Sequence, residues 1–564
     1  MLPMMAKQSA AAAVEFVREA EGRLAAANVE QQRAEWIAQN FITHDTQMLA
    51  AAANQKQITL GVELAKQAAT FDAVGDAPYD VRRKLDLIKL SLTTPGPSDP
   101  KKTAEMAKIA AEMEAMYGTA TFDGLDVEAI TKIMQHEREP RRLVEVWRGW
   151  HSIARPMKNL YSRFVELTNE GARELGYADA GAMWRSKYDM PPNAFAAEAD
   201  RLWNQVKPLY QSLHKYVRRR LGIATDTIPA HLLGNIWAQE WGNIYDLVAP
   251  ANAGGSYDLT KILEARSDID VVGMMRIGEQ FFTSLGFAPL PQTFWERSLF
   301  TKPRDRDVVC HASAWDLDDE EDLRVKMCIS KTADYFQTIH HELGHNFYQR
   351  AYKMQPFLYK DSANDALHEA IGDTIALSVT PGYLVKIGLL DEEPPESDDI
   401  PLLLREALDK VAFLPFGIMI DQWRWRVFSG EITPDDYTRS WWDLRLEYQG
   451  IAPPEERSEA DFDPGAKYHI AANVPYMRYF LARILQFQFH RALCEIAECK
   501  GPLHRSSIYG NRVAGKRLER MLALGRSRPW PDALEALCGQ RKMDATAMLD
   551  YFAPLKSWLD EQNS

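Results

Sequence analysis

His341-Glu342-Leu343-Gly344-His345, followed by His368-Glu369-Ala370-Ile371-Gly372-Asp373, is the stretch from which the rest of this chain is read. Histidines at i and i+4 project from one face of a helix, so both imidazoles can reach a single metal ion. Glu342 stands beside the first of them, placed to take a proton from a water that zinc acidifies toward a pKa of ~7. The second stretch is also helix-like and offers Glu369 as a third ligand. Asp373, one turn further on the same face, is the carboxylate to which a ligating histidine donates its other ring N–H. The pattern reads as a zinc peptidase site: His341, His345 and Glu369 hold the metal, Asp373 orients, and a fourth position stays open. Cobalt or manganese suits the same N/N/O donors.

Outward from these helices the pattern stays helical. Ala-, Glu-, Gln- and Leu-rich periodic segments cover 8–70, 103–116, 125–150, 196–221, 404–413 and 478–498, so the spacing predicts a mainly α protein. Punctuation falls at Thr94-Pro95-Gly96-Pro97, at Ala251-Asn252-Ala253-Gly254-Gly255, along the acidic run 391–401 and at Pro453-Pro454. One exception to the helical pattern lies before the metal helix. Val308 to Trp315 reads as an exposed strand and Val325 to Ile329 as its antiparallel partner, a minor sheet beside the zinc site with Asp316 to Asp322 as a solvated hairpin loop.

Composition narrows the function. The chain has 564 residues, 46% of them apolar, with 15 Trp, 21 Tyr and 22 Phe, enough to pack a large core. A net charge of −13 argues against a nucleic-acid binder, which needs a basic face against phosphates. No apolar run approaches the ~20 residues that span a bilayer. Val411 to Ile420 is short, carries Pro415 and reads as core. The start, Met1 to Lys7, lacks the basic segment and apolar stretch of a signal peptide, which leaves a cytoplasmic location or a signal removed beforehand. Five cysteines, at 310, 328, 494, 499 and 538, are sparse for a disulfide scaffold, and the odd count leaves one unpaired within the chain.

With their surroundings, the zinc residues resemble the angiotensin-converting enzyme family, the zinc peptidyl-dipeptidases. The resemblance runs through Trp237-Ala238-Gln239, Cys310 to Asp316, His340 to His345, Asp421 to Phe428, Asp461 to His469, Val474-Pro475-Tyr476 and Gln486 to His490. It implies one catalytic unit over 1–564, a mostly helical ellipsoid whose two halves flank a deep central channel. Helices of the first hundred residues would form a lid that admits only short peptides with a free C-terminus. Position by position it implies Glu342 as general base, and His469 and Tyr479 as stabilisers of the tetrahedral intermediate. Gln239, Lys467 and Tyr476 match the trio that grips the substrate's C-terminal carboxylate, and one cation with two neutral donors suits that group. His311, with the backbone of Ala312 and Ala314, matches the groups that hold an extended peptide main chain.

The same resemblance separates dipeptide release from its alternative. A branch of the family that removes one residue carries an arginine where this chain has Gln239, so dipeptide release is expected. Single-residue carboxypeptidase activity and a catalytically idle binding protein are the rival readings. Arg478 and Tyr188, with Trp184 nearby, match the family's second chloride site. At the first site Trp441 and Arg445 match, but His151 stands about where the family has an arginine, so chloride dependence is expected through one site. Cys310 and Cys328 match a family disulfide across the small hairpin, whose paired strands allow the Cα separation. That bond favours a periplasmic or secreted protein. Cys494 matches half of another family bridge whose partner position is Ser506, which leaves it free or paired elsewhere, Cys499 being one choice.

Overall fold

The computed structural model describes residues 9–250 and 257–564. The loop expected at 251–255 and the start of the chain, Met1 to Lys7, lie outside the described residues. Helices dominate, and the only regular sheets among the described residues are two two-stranded pairs. No described helix is long and apolar enough to cross a membrane. The chain divides into two compact units, each drawn from three stretches: Met1–Leu92, Tyr257–Pro394 and Ile484–Asp544 in the first, and Thr93–Ser256, Pro395–Arg483 and Ala545–Ser564 in the second.

In the first unit the segment expected to be helical over 8–70 is a hairpin of two helices, Ala10–Asn40 and His44–Ala69. The break between them is chemical. Thr43 caps the second helix reciprocally with Thr46, each satisfying the other's backbone N–H. Small residues on the facing stripes, Ala13, Ala20 and Ala68 among them, let the helices close on Val17, Leu24 and Leu64, and helix Tyr79–Leu90 adds Val81, Leu85 and Ile88 to that core.

The metal helix, Ala333–Ala351, starts at Thr332, whose side chain accepts the N–H of Tyr335. Helix Asp365–Leu377 starts at Asn364 and packs against it. Glycine permits the approach: a Cβ on Gly344 would stand 2.8 Å from the Cα of Gly372, and one on Gly372 would stand 2.7 Å from Nδ1 of His341. Before the metal helix comes the expected hairpin, with its strands displaced. Ser313–Asp316 pairs antiparallel with Leu323–Lys326, Ala314 opposite Val325. The first strand starts later than Val308 because Lys326 Nζ takes the carbonyls of Val309 and His311, at 2.7 and 2.6 Å, while the N–H of Val309 goes to Gln39. The second stops earlier than Ile329 because Met327 and Ile329 donate instead to Leu299 and Phe300. Between the strands, Asp318 Oδ1 accepts the N–H groups of Glu320, Glu321 and Asp322 and closes the acidic loop. Asn346, fully buried on the metal helix, donates to the carbonyls of Trp315 and Arg324 and so fastens the hairpin to the helix.

In the second unit, long helices Pro192–Arg220 and Asp399–Ser429 pack together. Asp399–Ser429 outruns the 404–413 pattern and passes through Pro415. From Val411 to Trp425 it is buried on every side, so tertiary packing outweighs the backbone bond that proline forfeits. The stretch expected as one helix over 125–150 is two, Val127–His136 and Pro140–His151, because Pro140 opens the second with Glu139 accepting the N–H of Arg142. Helix Met477–Ile496 begins in this unit and ends in the first.

Candidate metal centre and carboxylate cluster

On the metal helix, His341 and His345 point their Nε2 atoms at each other's side, 3.1 Å apart, and Glu369 Oε2 lies 3.7 Å from His341 Nε2. Among the described residues these three are the grouping whose donor atoms, all within 4.8 Å of one another, could hold a metal ion. A tetrahedral zinc with Zn–N bonds of 2.0–2.1 Å separates its nitrogens by about 3.3 Å. Two imidazole nitrogens converging beside a carboxylate therefore fit zinc. Asp373 Oδ1 lies 3.1 Å from His341 Nδ1, and its Oδ2 accepts the side-chain N–H of Gln486 at 3.2 Å, so the orienting carboxylate is itself held. The field there favours positive charge. Burial works against a charged His341, yet its hydrogen bond to Asp373 and the carboxylates of Asp373, Glu342 and Glu369 together push the imidazole up to about 9.

His345 has a different outer partner. Its Nδ1 lies 2.9 Å from Nδ1 of His368, whose Nε2 reaches Tyr352 Oη at 3.3 Å and whose ring stacks on Tyr348 at 4.5 Å. Helical spacing alone gives no role to His368. The available signal was its place just before Glu369, one helical step round toward the other histidine.

Glu342 is 7% exposed. Burial, seconded by the Glu369 carboxylate, pushes its carboxyl up to about 7, against the pull of His341, Lys326 and the N–H of Ala314. Lys326 is buried as well, and burial pulls its ammonium down to about 8. His311 is exposed, with Nδ1 at 2.9 Å from the carbonyl of Ala312. Cys310 and Cys328 form a disulfide with Cα atoms 5.1 Å apart, while Cys494, Cys499 and Cys538 are free thiols.

The second unit gathers another group of predicted residues. Lys467 Nζ donates to Gln239 Oε1 at 2.6 Å, and Tyr476 Oη reaches the same oxygen at 3.5 Å. Lys467 is 5% exposed and sits 4.1 Å over the Trp237 ring; burial pulls its ammonium down to about 7, with Glu240 opposing. His469 Nε2 lies 3.5 Å from Tyr479 Oη, and its ring meets Tyr476 edge-on at 4.7 Å. Burial, with the charges of Lys467, Arg424 and Arg478 behind it, pulls His469 down to about 2, so it is a neutral hydrogen-bonding group at any working pH.

Two residues the sequence reading quoted without a role hold this cluster. Asp421 Oδ2 accepts the N–H groups of Tyr476 and Met477 at 2.8 and 2.7 Å, capping helix Met477–Ile496, and its Oδ1 binds Arg424. Arg424 in turn donates to the carbonyl of His469 at 2.9 Å. The pair is 2% and 0% exposed, which demands that every charge be matched, and it is. The guanidinium of Arg478 stands 5.9 Å over the ring of Tyr479, and Tyr188 stacks on Phe195 at 4.0 Å. Trp184 donates to the carbonyl of Thr93. Trp441 packs edge-on to Phe416 and Trp423. Arg445, buried, donates to the carbonyl of Trp237, and His151 stacks on Trp147 at 3.8 Å with burial pulling it down to about 4.

A helix bearing His341 and His345, a carboxylate from the next helix and a buried glutamate beside them form a donor set able to hold one metal ion. Residues 7–564 match the family model described as angiotensin-converting enzyme. The chain belongs to that family. It is 46% identical over 485 residues to the angiotensin-converting enzyme of Sus scrofa, covering 82% of this chain and 37% of that protein. It is 41% identical over 570 residues to that of Bos taurus, covering 97% and 43%, and 44% identical over 444 residues to that of Theromyzon tessulatum, covering 77% and 72%. The chain thus spans about two fifths of the length of the mammalian relatives it matches.

Proposed function

We propose that the chain is a zinc metallopeptidase that releases dipeptides from the free C-terminus of short peptides. The observation that carries this reading is the metal donor set with Glu342 beside it, and the Gln239, Lys467 and Tyr476 cluster supplies the specificity. Zinc held by His341, His345 and Glu369 would supply Lewis acidity, polarising a carbonyl and acidifying a water. Glu342 takes the proton of the attacking water and passes it to the leaving amine. Asp373 fixes the ring orientation of His341.

Tyr479, its hydroxyl held beside neutral His469, donates to the oxyanion that develops on the scissile carbonyl, a contribution of about 10²–10³ in rate per donor. His311 and the backbone of Ala312 and Ala314 pair with the extended peptide. The ammonium of Lys467, with Gln239 and Tyr476, binds the terminal carboxylate. A chloride ion on Arg478 and Tyr188 would bias Tyr479, its sequence neighbour, and activate the enzyme through that one site. The Cys310–Cys328 bridge supports an oxidising compartment, periplasmic or extracellular.

The test is mass spectrometry of the products from a short peptide with a free C-terminus, beside its amide, with and without chelator. Chelator-sensitive release of a dipeptide, much weaker from the amide, is the expected outcome. Release of one residue would transfer the chain to carboxypeptidase chemistry, and no cleavage with zinc bound would make it a binding protein.

A further inference from the structure

Helix Met477–Ile496 ends in a closure that brings two cysteines together. Glu498 takes the left-handed conformation, with φ of 53°. The N–H of Cys499 then donates to the carbonyl of Cys494 at 3.0 Å, and the N–H of Glu498 to the carbonyl of Glu495 at 3.1 Å. These two bonds are the Schellman termination, in which the residue that follows the left-handed one folds its side chain back on the last turn, usually as an apolar contact. In this helix the side chains at both of those positions are thiols. Cys494 is buried and Cys499 half-buried, and neither is bridged. Cys499 Sγ also reaches the carbonyl of Ser507 at 3.7 Å, and the His490 ring lies 3.6 Å from Cys494 Sγ.

We propose that Cys494 and Cys499 are a dithiol–disulfide site, which closes into a second disulfide by exchange with a low-molecular-weight disulfide such as oxidised glutathione. A disulfide needs Cα atoms about 4.4–6.8 Å apart. A direct backbone hydrogen bond between the two residues, across the helix-ending turn, brings their Cα atoms together for it. The order of events follows from exposure. Cys499 is the reachable sulfur, and the hydrogen bond it receives from Cys494, aided by the Lys386 ammonium, favours its thiolate. That thiolate attacks one sulfur of the external disulfide, whose S–S bond breaks, and the other half leaves as a thiol after taking up a proton. Cys494, shielded from outside reagents, then attacks the Cys499 sulfur of the mixed disulfide. The second half leaves as a thiol with the proton from Cys494. Two protein thiols and one external disulfide become one protein disulfide and two external thiols.

The experiment treats the full chain with oxidised glutathione, quenches in acid, alkylates after unfolding, and digests with trypsin without reductant. Peptide 492–500 holds both cysteines. It should return two hydrogens lighter and unalkylated, with Cys538 still alkylated, and Cys494→Ser should trap glutathione on Cys499. A doubly alkylated peptide, a glutathione adduct that persists in the unaltered chain, or a Cys499 that fails to react in Cys494→Ser would each overturn the proposal.

Discussion

Gly344 and Gly372 face each other across the helices that carry the candidate ligands, so closely that a methyl group on the first would press within 2.8 Å of the Cα of the second. A methyl on Gly372 meets the ring of His341 itself, at 2.7 Å. Gly372→Ala therefore has to displace a ligand or part the helices. Overpacking of this kind costs about 1–3 kcal/mol. Equilibrium dialysis should show zinc affinity reduced at least tenfold while circular dichroism stays helical, and unaltered affinity would mean that the ring moves aside freely.

Asp373 is the partner of His341 and is anchored by Gln486. Asp373→Asn keeps the shape and removes the charge that favours the metal. Loss of such an outer partner weakens metal binding about 10–100-fold. Competition against a chromophoric chelator reads this directly, and activity at saturating zinc should recover in part.

On the proposed function, Gln239, which accepts a hydrogen bond from the Lys467 ammonium, would set substrate length. Gln239→Arg would bring a second cation to that place and move the carboxylate anchor. Product analysis should show dipeptide release weakened or abolished, and normal dipeptide output from the variant would sink the assignment.

Lys467 gives the pH dependence. Its ammonium is held down at about 7 by burial, so it is charged below that pH and neutral above it. The preference for a free-acid peptide over its amide, measured as a ratio of kcat/KM so that other titrations cancel, should fall as pH rises through ~7, since kcat/KM reports the free enzyme. Lys467→Arg stays charged and should keep the ratio flat across the same range.

Chloride supplies a further check, through Arg478 and its stacking over Tyr479. Rates in chloride-free buffer should drop and recover with a single saturable phase, and Arg478→Gln should remove the response. An enzyme indifferent to chloride would count against this anion site.

The cluster able to hold a metal was legible because helical spacing alone turns His341 and His345 to one face, and a mainly α chain was legible from the same periodicity. The facing of Gly344 and Gly372 was not, because spacing within one helix says nothing about which glycine meets another. The sequence reading started the hairpin at Val308, whereas Lys326 diverts two of that segment's carbonyls, a long-range bond no local pattern records. Asp421 and Arg424 stood in plain view in a tryptophan-rich helix, but their work as a cap and a tether depends on a loop some fifty positions further on. Cys499 is one candidate partner for Cys494 from the sequence alone, and the turn at Glu498 that folds it back onto Cys494 is what no local pattern records.

Each of the two units is stitched from three separated stretches, the first closing with Ile484–Asp544 and the second with Ala545–Ser564. At 5–20 residues per second, synthesis of residues 1–544 takes roughly half a minute to two minutes, and neither unit is finished before that. Through that interval the apolar helix Asp399–Ser429 has no complete core to enter, which makes the nascent chain a client for chaperones and a hazard at high expression. Trimming either unit for separate production would cut into the other's sequence, so the molecule is made whole or not at all.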